Sequence, residues 1–528
     1  MRTVLSDLAQ TAGAFRCDIG ATGEKRHGDN KQTRTRLALH TIDLRHCGAH
    51  NYLGIRRTKA TRRRGPFNKV WTVALSQYNQ ADETGNSLTQ LSNGTIVAGG
   101  NDANQHNYCS THHQPYFGGA WLVAVTSSGG NNVWQRLYST CANAQQSTGV
   151  VAHTSDGGFI LAGGDFDNPA CGGGCGWFAK FDSTGSISWQ HDLTGAYGAG
   201  ADAITPVADG GYVAVGNQSP TFAEILQGLI MKISANGELQ WCAAFPESDN
   251  SFPGAFTGGN FTFGSLQLTQ DGGYIVSGVA DARFPSGYAH VLTIMKLDAT
   301  GHVQWSKAYY GTVWASGPAG DGKYPIFQTA DGGYIFSGTV QQLVSPFQEL
   351  FFLLKLDANG GIVWQKGYGG ANNYYDISAE IGGAVAAADG GYVMAGESNV
   401  FLQATTGWML KTDASGNILW QKLYTGLTAQ GGNEFDDLIQ TSDGGYAATG
   451  KSWTPDPTYG GPGLWLVKTD NNGNIGTCNC MQNTNVTPQP LDLNVFKATF
   501  ARTTPSLTFS AVNIQGKTTS ITPTTIYP

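Results

Sequence analysis

Thr441-Ser442-Asp443-Gly444-Gly445-Tyr446-Ala447-Ala448-Thr449-Gly450 decides how this chain folds, because the chain repeats it. Asp-Gly-Gly followed by Tyr or Phe starts at Asp156, Asp209, Asp271, Asp331, Asp389 and Asp443, and Ser92-Asn93-Gly94-Thr95 reads as a worn seventh copy. Seven residues after the first residue of each copy stands a glycine: Gly99, Gly163, Gly216, Gly278, Gly338, Gly396 and Gly450. Glycine accepts the positive φ of a tight hairpin, and the flanking apolar stretches have strand character, so each copy reads as a strand, a turn and a strand running back.

A third strand follows in each unit. It reads Trp408-Met409-Leu410-Lys411 in one copy, and recurs around Trp121, Trp177, Leu229, Leu292, Phe352 and Trp465. A second turn then ends on Gly130, Gly185, Gly237, Gly301, Gly360 or Gly416, and four residues later comes Trp134, Trp189, Trp241, Trp305, Trp364 or Trp420 in a fourth strand. Four antiparallel strands per unit, repeated every 52–64 residues, describe the blades of a propeller. The fold class is all-β.

The count fixes the closure. Seven turns and seven third strands are present, but the unit ending near Cys478 has no fourth-strand tryptophan. Val70-Trp71-Thr72-Val73-Ala74-Leu75 supplies such a strand ahead of the first turn. The expectation is a seven-bladed β-propeller whose last blade is completed by this N-terminal strand, which leaves no open edge in the ring.

Residues that recur in every blade read as structural. The turn Asp caps its own turn, the fourth-strand Trp fills the wedge between blades, and the third-strand Lys lays its stem on apolar surface with its ammonium in water. Asp470-Asn471-Asn472-Gly473 lacks the Glu that would complete a calcium loop and reads as a turn.

These motifs together, Asp-Gly-Gly-Tyr, then Trp-Leu-x-Lys-x-Asp-x-x-Gly, then Trp-x-Lys, resemble the repeat of secreted bacterial and archaeal β-propeller proteins; the last two also resemble PQQ-like propeller repeats. The resemblance covers residues 67–478. It implies the fold and an extracytoplasmic address, and no particular activity. A quinoprotein dehydrogenase of this kind is expected to carry adjacent cysteines, and this chain has none, so no PQQ and no other cofactor is expected.

The organisation expected is a basic segment 1–65, disordered or wrongly assigned as coding, then the propeller 66–480, then a Thr/Asn/Pro-rich tail or small β segment 481–528. Residues 1–65 hold 14 Lys and Arg against 5 Asp and Glu; of the chain's 31 and 38, that leaves 17 against 33 beyond residue 65. A body so acidic is not expected to bind nucleic acid. No run of about 18 apolar residues offers a membrane-spanning helix. No secretory signal is visible in residues 1–20. Of nine cysteines, Cys109 with Cys141 and Cys171 with Cys175 stand where pairs can close, which favours an oxidising compartment and a secreted or cell-surface protein. His106, His112 and His113 lie near Cys109 without zinc spacing, and no metal is expected.

Function is expected where the connections vary. The second-to-third and fourth-to-first connections emerge on one face, the tight turns on the other. The loop-rich face offers Tyr116, Phe117, Trp314, Tyr374, Tyr375, Trp453 and Tyr459, side chains suited to stacking on a glycan or gripping a protein, or to packing the loops themselves. The first reading is an extracytoplasmic binding module without catalysis. A second is a glycan-cleaving hydrolase or lyase at the channel mouth, using a pair among Asp202, Glu247, Asp249, Asp321, Asp376, Glu380 and Asp436. A third is a structural spacer.

Overall fold

The computed structural model describes residues 70–527 apart from 76–82, 103–118, 140–145, 166–170, 172–173, 222–224, 247–258, 285–286, 312, 316–322, 343–347, 370–380, 400–404, 427–431, 454–461, 477, 501, 513 and 519–523. The basic segment 1–65 lies outside the described residues.

Seven antiparallel sheets form seven blades. The first is built from Glu83–Gln90, Thr95–Asp102, Gly119–Thr126 and Asn132–Ser139, and the others follow the same order. The seventh joins Asn433–Gln440, Tyr446–Trp453 and Pro462–Thr469 to Trp71–Leu75, the N-terminal strand, with Trp71 opposite Lys468. The expected closure is therefore present. The first strand of each blade is innermost, and these strands pack side by side around a central channel.

The repeated turn explains itself chemically. Thr441 N–H donates to Gly445 O (2.9 Å), Gly444 N–H donates to Thr441 O (2.8 Å), and Gly444 stands at φ +85, within a degree of its counterpart Gly157 at +86. Asp443 Oδ1 accepts from the Thr441 hydroxyl (2.6 Å) and the Gly445 amide (3.2 Å), so one carboxylate oxygen organises the hairpin. The first copy is displaced by one residue from its sequence reading. Asn93 takes the Asp position, accepting from Thr95 N–H (2.9 Å), and the conserved spacing then falls on Gly100 rather than Gly99.

The third-strand lysines are buried and ion-paired, contrary to a solvated ammonium. Lys180, Lys232, Lys296 and Lys355 each lie 2.8 Å from the turn Asp of their own blade, and Lys411 pairs with Asp389. Each tryptophan wedge presses on the turn glycine of the next blade. Trp134 Nε1 donates to Ser183 O (3.1 Å), Trp189 Nε1 to Ala235 O (3.1 Å), and Trp71 Nε1 to Ser127 O (3.0 Å), so the closing strand makes the same latch as the rest.

The described residues of 481–527 are arranged in a way that their composition does not suggest. They run around the outside of the ring, opposite to the blade order. Met481–Asn483 pairs with the sixth blade, Gln489–Pro490 with the fifth and Leu493–Lys497 with the fourth. Thr503 bridges Ala244 of the third; Thr508–Ala511, Gln515–Thr518 and Thr524–Tyr527 pair with the second, first and seventh. The segment is a belt that visits every blade and covers outer edges otherwise open to pairing. In the second, fifth and sixth blades the glutamine after the fourth-strand tryptophan fastens it. Gln190 Nε2 donates to Ile514 O (3.1 Å), Gln365 Nε2 to Leu493 O (3.1 Å) and Gln421 Nε2 to Val486 O (2.9 Å). Buried Phe500 stacks on Phe261 with ring centroids 4.3 Å apart.

Among the described residues two disulfides are present, Cys171–Cys175 and Cys478–Cys480. The first was expected; the second stands where the last blade passes into the belt. Cys109 and Cys141 lie outside the described residues. Among the described residues no helix is long and apolar enough to cross a membrane. The disulfides are compatible with an extracellular protein.

Candidate functional site in the central channel

Six inner strands carry a β-bulge at the same place. The register shifts at Asn86, Gly149, Asp202, Gly264, Gly382 and Asp436. Each bulged residue precedes by fourteen positions the recurring glycine of the neighbouring strand: Gly100, Gly163, Gly216, Gly278, Gly396 and Gly450. The reason is steric. A Cβ at Gly100, Gly163, Gly216, Gly278 or Gly450 would overlap a main-chain oxygen of the bulged strand. The glycine lets the inner strand fold inward, and the bulge turns one residue toward the channel.

The fifth blade breaks the pattern. Its inner edge is divided between Val313–Ala315 and Ile326–Gln328, and the ring of Tyr324 occupies the space beside Gly338. Lys323 enters the channel there.

The bulged residues and Lys323, with Thr262, Phe263 and Ile381, line a cavity of about 340 Å³ to which every blade contributes. Lys323 Nζ reaches from the fifth blade to main-chain oxygens of two others, Asn86 O and Asp436 O, each at 2.6 Å. Asn86 Nδ2 donates to Thr148 O (2.6 Å) and ties the first blade to the second.

The two carboxylates are held in protein-walled surroundings. Asp202 opens onto the lumen, yet protein surrounds it, and this desolvation raises its carboxyl to about 7 against the opposing effects of Asn217 and Lys323. The accessible surface that Asp202 keeps on the lumen side works against that rise. Its hydrogen bond from Asn217 Nδ2 is 3.3 Å long. Asp436 is also raised, first by burial and then by the negative charge of Glu434, with Lys323 and Lys451 opposing.

Of the seven loop carboxylates singled out from the sequence, Asp202 and Asp436 meet at this cavity; Glu247, Asp249, Asp321, Asp376 and Glu380 lie outside the described residues. Of the aromatic set, Trp453 is described in full. It is 42% exposed, and its indole packs over Gly432, next to the start of the seventh inner strand. Trp314 lies in Val313–Ala315, with its side chain outside the description; Tyr116, Phe117, Tyr374, Tyr375 and Tyr459 also lie outside the described residues. Lys323 was not anticipated, because a lone lysine beside an irregular loop carries no repeat signal. Among the described residues no three His, Cys, Asp or Glu side chains converge as a metal site.

No family model and no curated protein matches this chain. Among solved structures it is similar to a protein of unknown function from Bacteroides caccae, at 13% identity over 57% of this chain and 89% of that one, with a TM-score of 0.32. It is similar to quinohemoprotein alcohol dehydrogenase from Comamonas testosteroni, at 12% identity over 78% of each chain and a TM-score of 0.40. It is also similar to polysaccharide lyase Uly1, at 8% identity over 76% of this chain and 99% of that one, with a TM-score of 0.44. At such values the likeness concerns fold and carries nothing about activity.

Proposed function

We propose that this chain is an extracytoplasmic binding protein that takes a glycan on its loop-rich face, with the channel cavity as the innermost subsite. The observation that carries this reading is the ring of six bulges, which together with Lys323 brings Asn86, Asp202 and Asp436 to one cavity of a repetitive scaffold. Its volume lies at the lower end of the roughly 300–1,000 Å³ typical of small-molecule sites. Trp453 near the inner strand offers an exposed aromatic face for a sugar ring. Calorimetric titration of the full chain against defined oligosaccharides tests the reading. Binding weakened at least tenfold by Trp453→Ala supports it; no binding by folded protein across neutral, acidic and amino oligosaccharides overturns it.

The raised carboxylates Asp202 and Asp436 favour one further reading, a glycan-cleaving hydrolase or lyase, since a carboxyl that holds its proton near neutrality can act as a general acid. Release of new reducing ends or unsaturated products, lost in Asp202→Asn, would establish cleavage; intact oligosaccharide after long incubation would exclude it for those substrates.

A further inference from the structure

We propose that the channel cavity accepts the free ammonium group of an amino sugar at the end of a glycan, held by the carboxylates of Asp202 and Asp436. This deepens the glycan-binding reading and rests on it.

The charges at the cavity are unequal. Asp202 and Asp436 line it against one cation, Lys323. Nearby, Glu434 is paired with Lys451, while Asp437 Oδ2 accepts from the Ser87 hydroxyl (2.8 Å) and the Leu88 amide (3.0 Å). Those groups are already engaged within the wall. The hydrogen bonds of Lys323 go to the main-chain oxygens of Asn86 and Asp436. Among the described residues the Asp436 carboxylate accepts no hydrogen bond and Asp202 accepts the long one from Asn217.

A carboxylate that faces the lumen without a close protein donor leaves its oxygens open to a ligand, and an ammonium brings three donors and the matching charge. A sugar carboxylate would meet two like charges for one opposite, and an N-acetyl group would bring one neutral donor and extra bulk. Lys323 shows that the channel already accommodates an ammonium. Gly149, Gly264 and Gly382 present only main chain to the lumen and leave space for a second. The exposed indole of Trp453 favours a sugar over a peptide as the carrier of that amine, because a sugar ring can stack there.

The test is calorimetric titration of the full chain at pH 7, where amino-sugar amines still carry protons, with four probes: the glucosamine tetramer, the N-acetylglucosamine tetramer, cellotetraose and tetralysine. The glucosamine tetramer should bind at least tenfold more tightly than each of the other three. Asp202→Asn and Asp436→Asn should each abolish most of that preference. Lys323→Met removes the resident cation and should tighten glucosamine binding at least threefold, a direction that misfolding cannot mimic. Equal affinity for the acetylated tetramer or cellotetraose overturns the amine assignment while leaving glycan binding intact. Tetralysine binding as tightly as the amino sugar overturns the sugar assignment. A Lys323→Met protein that binds glucosamine more weakly overturns the charge argument, and no binding of any oligosaccharide overturns the glycan reading and this inference with it.

Discussion

The ammonium of Lys468, whose side chain is fully buried, lies 2.9 Å from both carboxylate oxygens of Asp443. The same pair recurs in the second to sixth blades, and the first blade lacks both members: Asn93 stands at the Asp position and Ala124 at the Lys position. Such joint loss is what burial demands, since either charge alone would be stranded. Asp443→Asn should therefore destabilise the protein by about 3 kcal/mol, in the range of about 3–5 for breaking a buried pair. Asp443→Asn with Lys468→Met should recover most of that loss, because the first blade's own pairing is uncharged. Denaturant midpoints of the single and double variants measure this; a double variant no better than Asp443→Asn would sink the argument.

Stability should peak on the acid side of neutrality. In Asp271 the hydrogen bonds from Lys296 and Thr269 lower the carboxyl to about 2. Burial pushes Asp156 up, but hydrogen bonds from Lys180 and Thr154 more than reverse it, again to about 2. Folded values below the unfolded one contribute stability that is present above about pH 4 and lost as pH falls toward 2. Asp202 has the opposite sign. Its folded value near 7 makes ionisation costly, so its contribution worsens as pH rises from about 4 to 7. Melting temperature against pH should show a maximum near 4–5, and Asp202→Asn should flatten the decline toward 7. An unchanged decline in that variant would remove Asp202 as its source.

The sequence made the blades legible because each strand, turn and wedge occurs seven times, so chance resemblance averages out. The closing strand was legible by subtraction, from the missing tryptophan after Gly473 and the extra one at Trp71. The channel was half legible. Asp202 and Asp436 stood among seven candidate acids, but only the bulges that turn them inward separate them from the rest, and the clue was the fixed distance of fourteen to the second-strand glycine. Lys323 and the belt were not legible. The belt's strands are short, Thr-rich and held by pairing with distant edges, so local pattern says little about them. A signal was present in Trp189-Gln190, Trp364-Gln365 and Trp420-Gln421, whose recurring amide had no assigned role until the belt carbonyls were seen opposite it.

Removing residues 481–528 should leave the blades formed but vulnerable. The deletion uncovers the outer strands and the apolar seats of Leu493, Phe500, Leu507 and Ile514, all buried in the intact chain. A lowered melting temperature and self-association through the freed edges are expected. Light scattering during thermal unfolding reads both. A truncated protein as stable and monodisperse as the full chain would show that the belt is not a structural device. Gln421→Ala, which frees the Val486 anchor while keeping the chain intact, should give a smaller loss in the same direction.

Trp71 bears on the closure more directly than any deletion. It is fully buried, whereas Trp134, Trp189, Trp241, Trp305, Trp364 and Trp420 are only partly so. Replacing a buried tryptophan by alanine costs about 3–5 kcal/mol through lost transfer energy and cavity formation. Here the loss also frees the Ser127 carbonyl and loosens the contact with Gly130, where a Cβ would lie 2.8 Å from the indole. Trp71→Ala should therefore lower stability more than Trp189→Ala, which removes the same latch from a blade joined by continuous chain on both sides. Hydrogen exchange should localise the difference to Trp71–Leu75 and Pro462–Thr469, the strands that unzip when the ring opens. Equal losses for the two variants, with exchange unchanged in those strands, would mean that the ring does not depend on this strand for its closure.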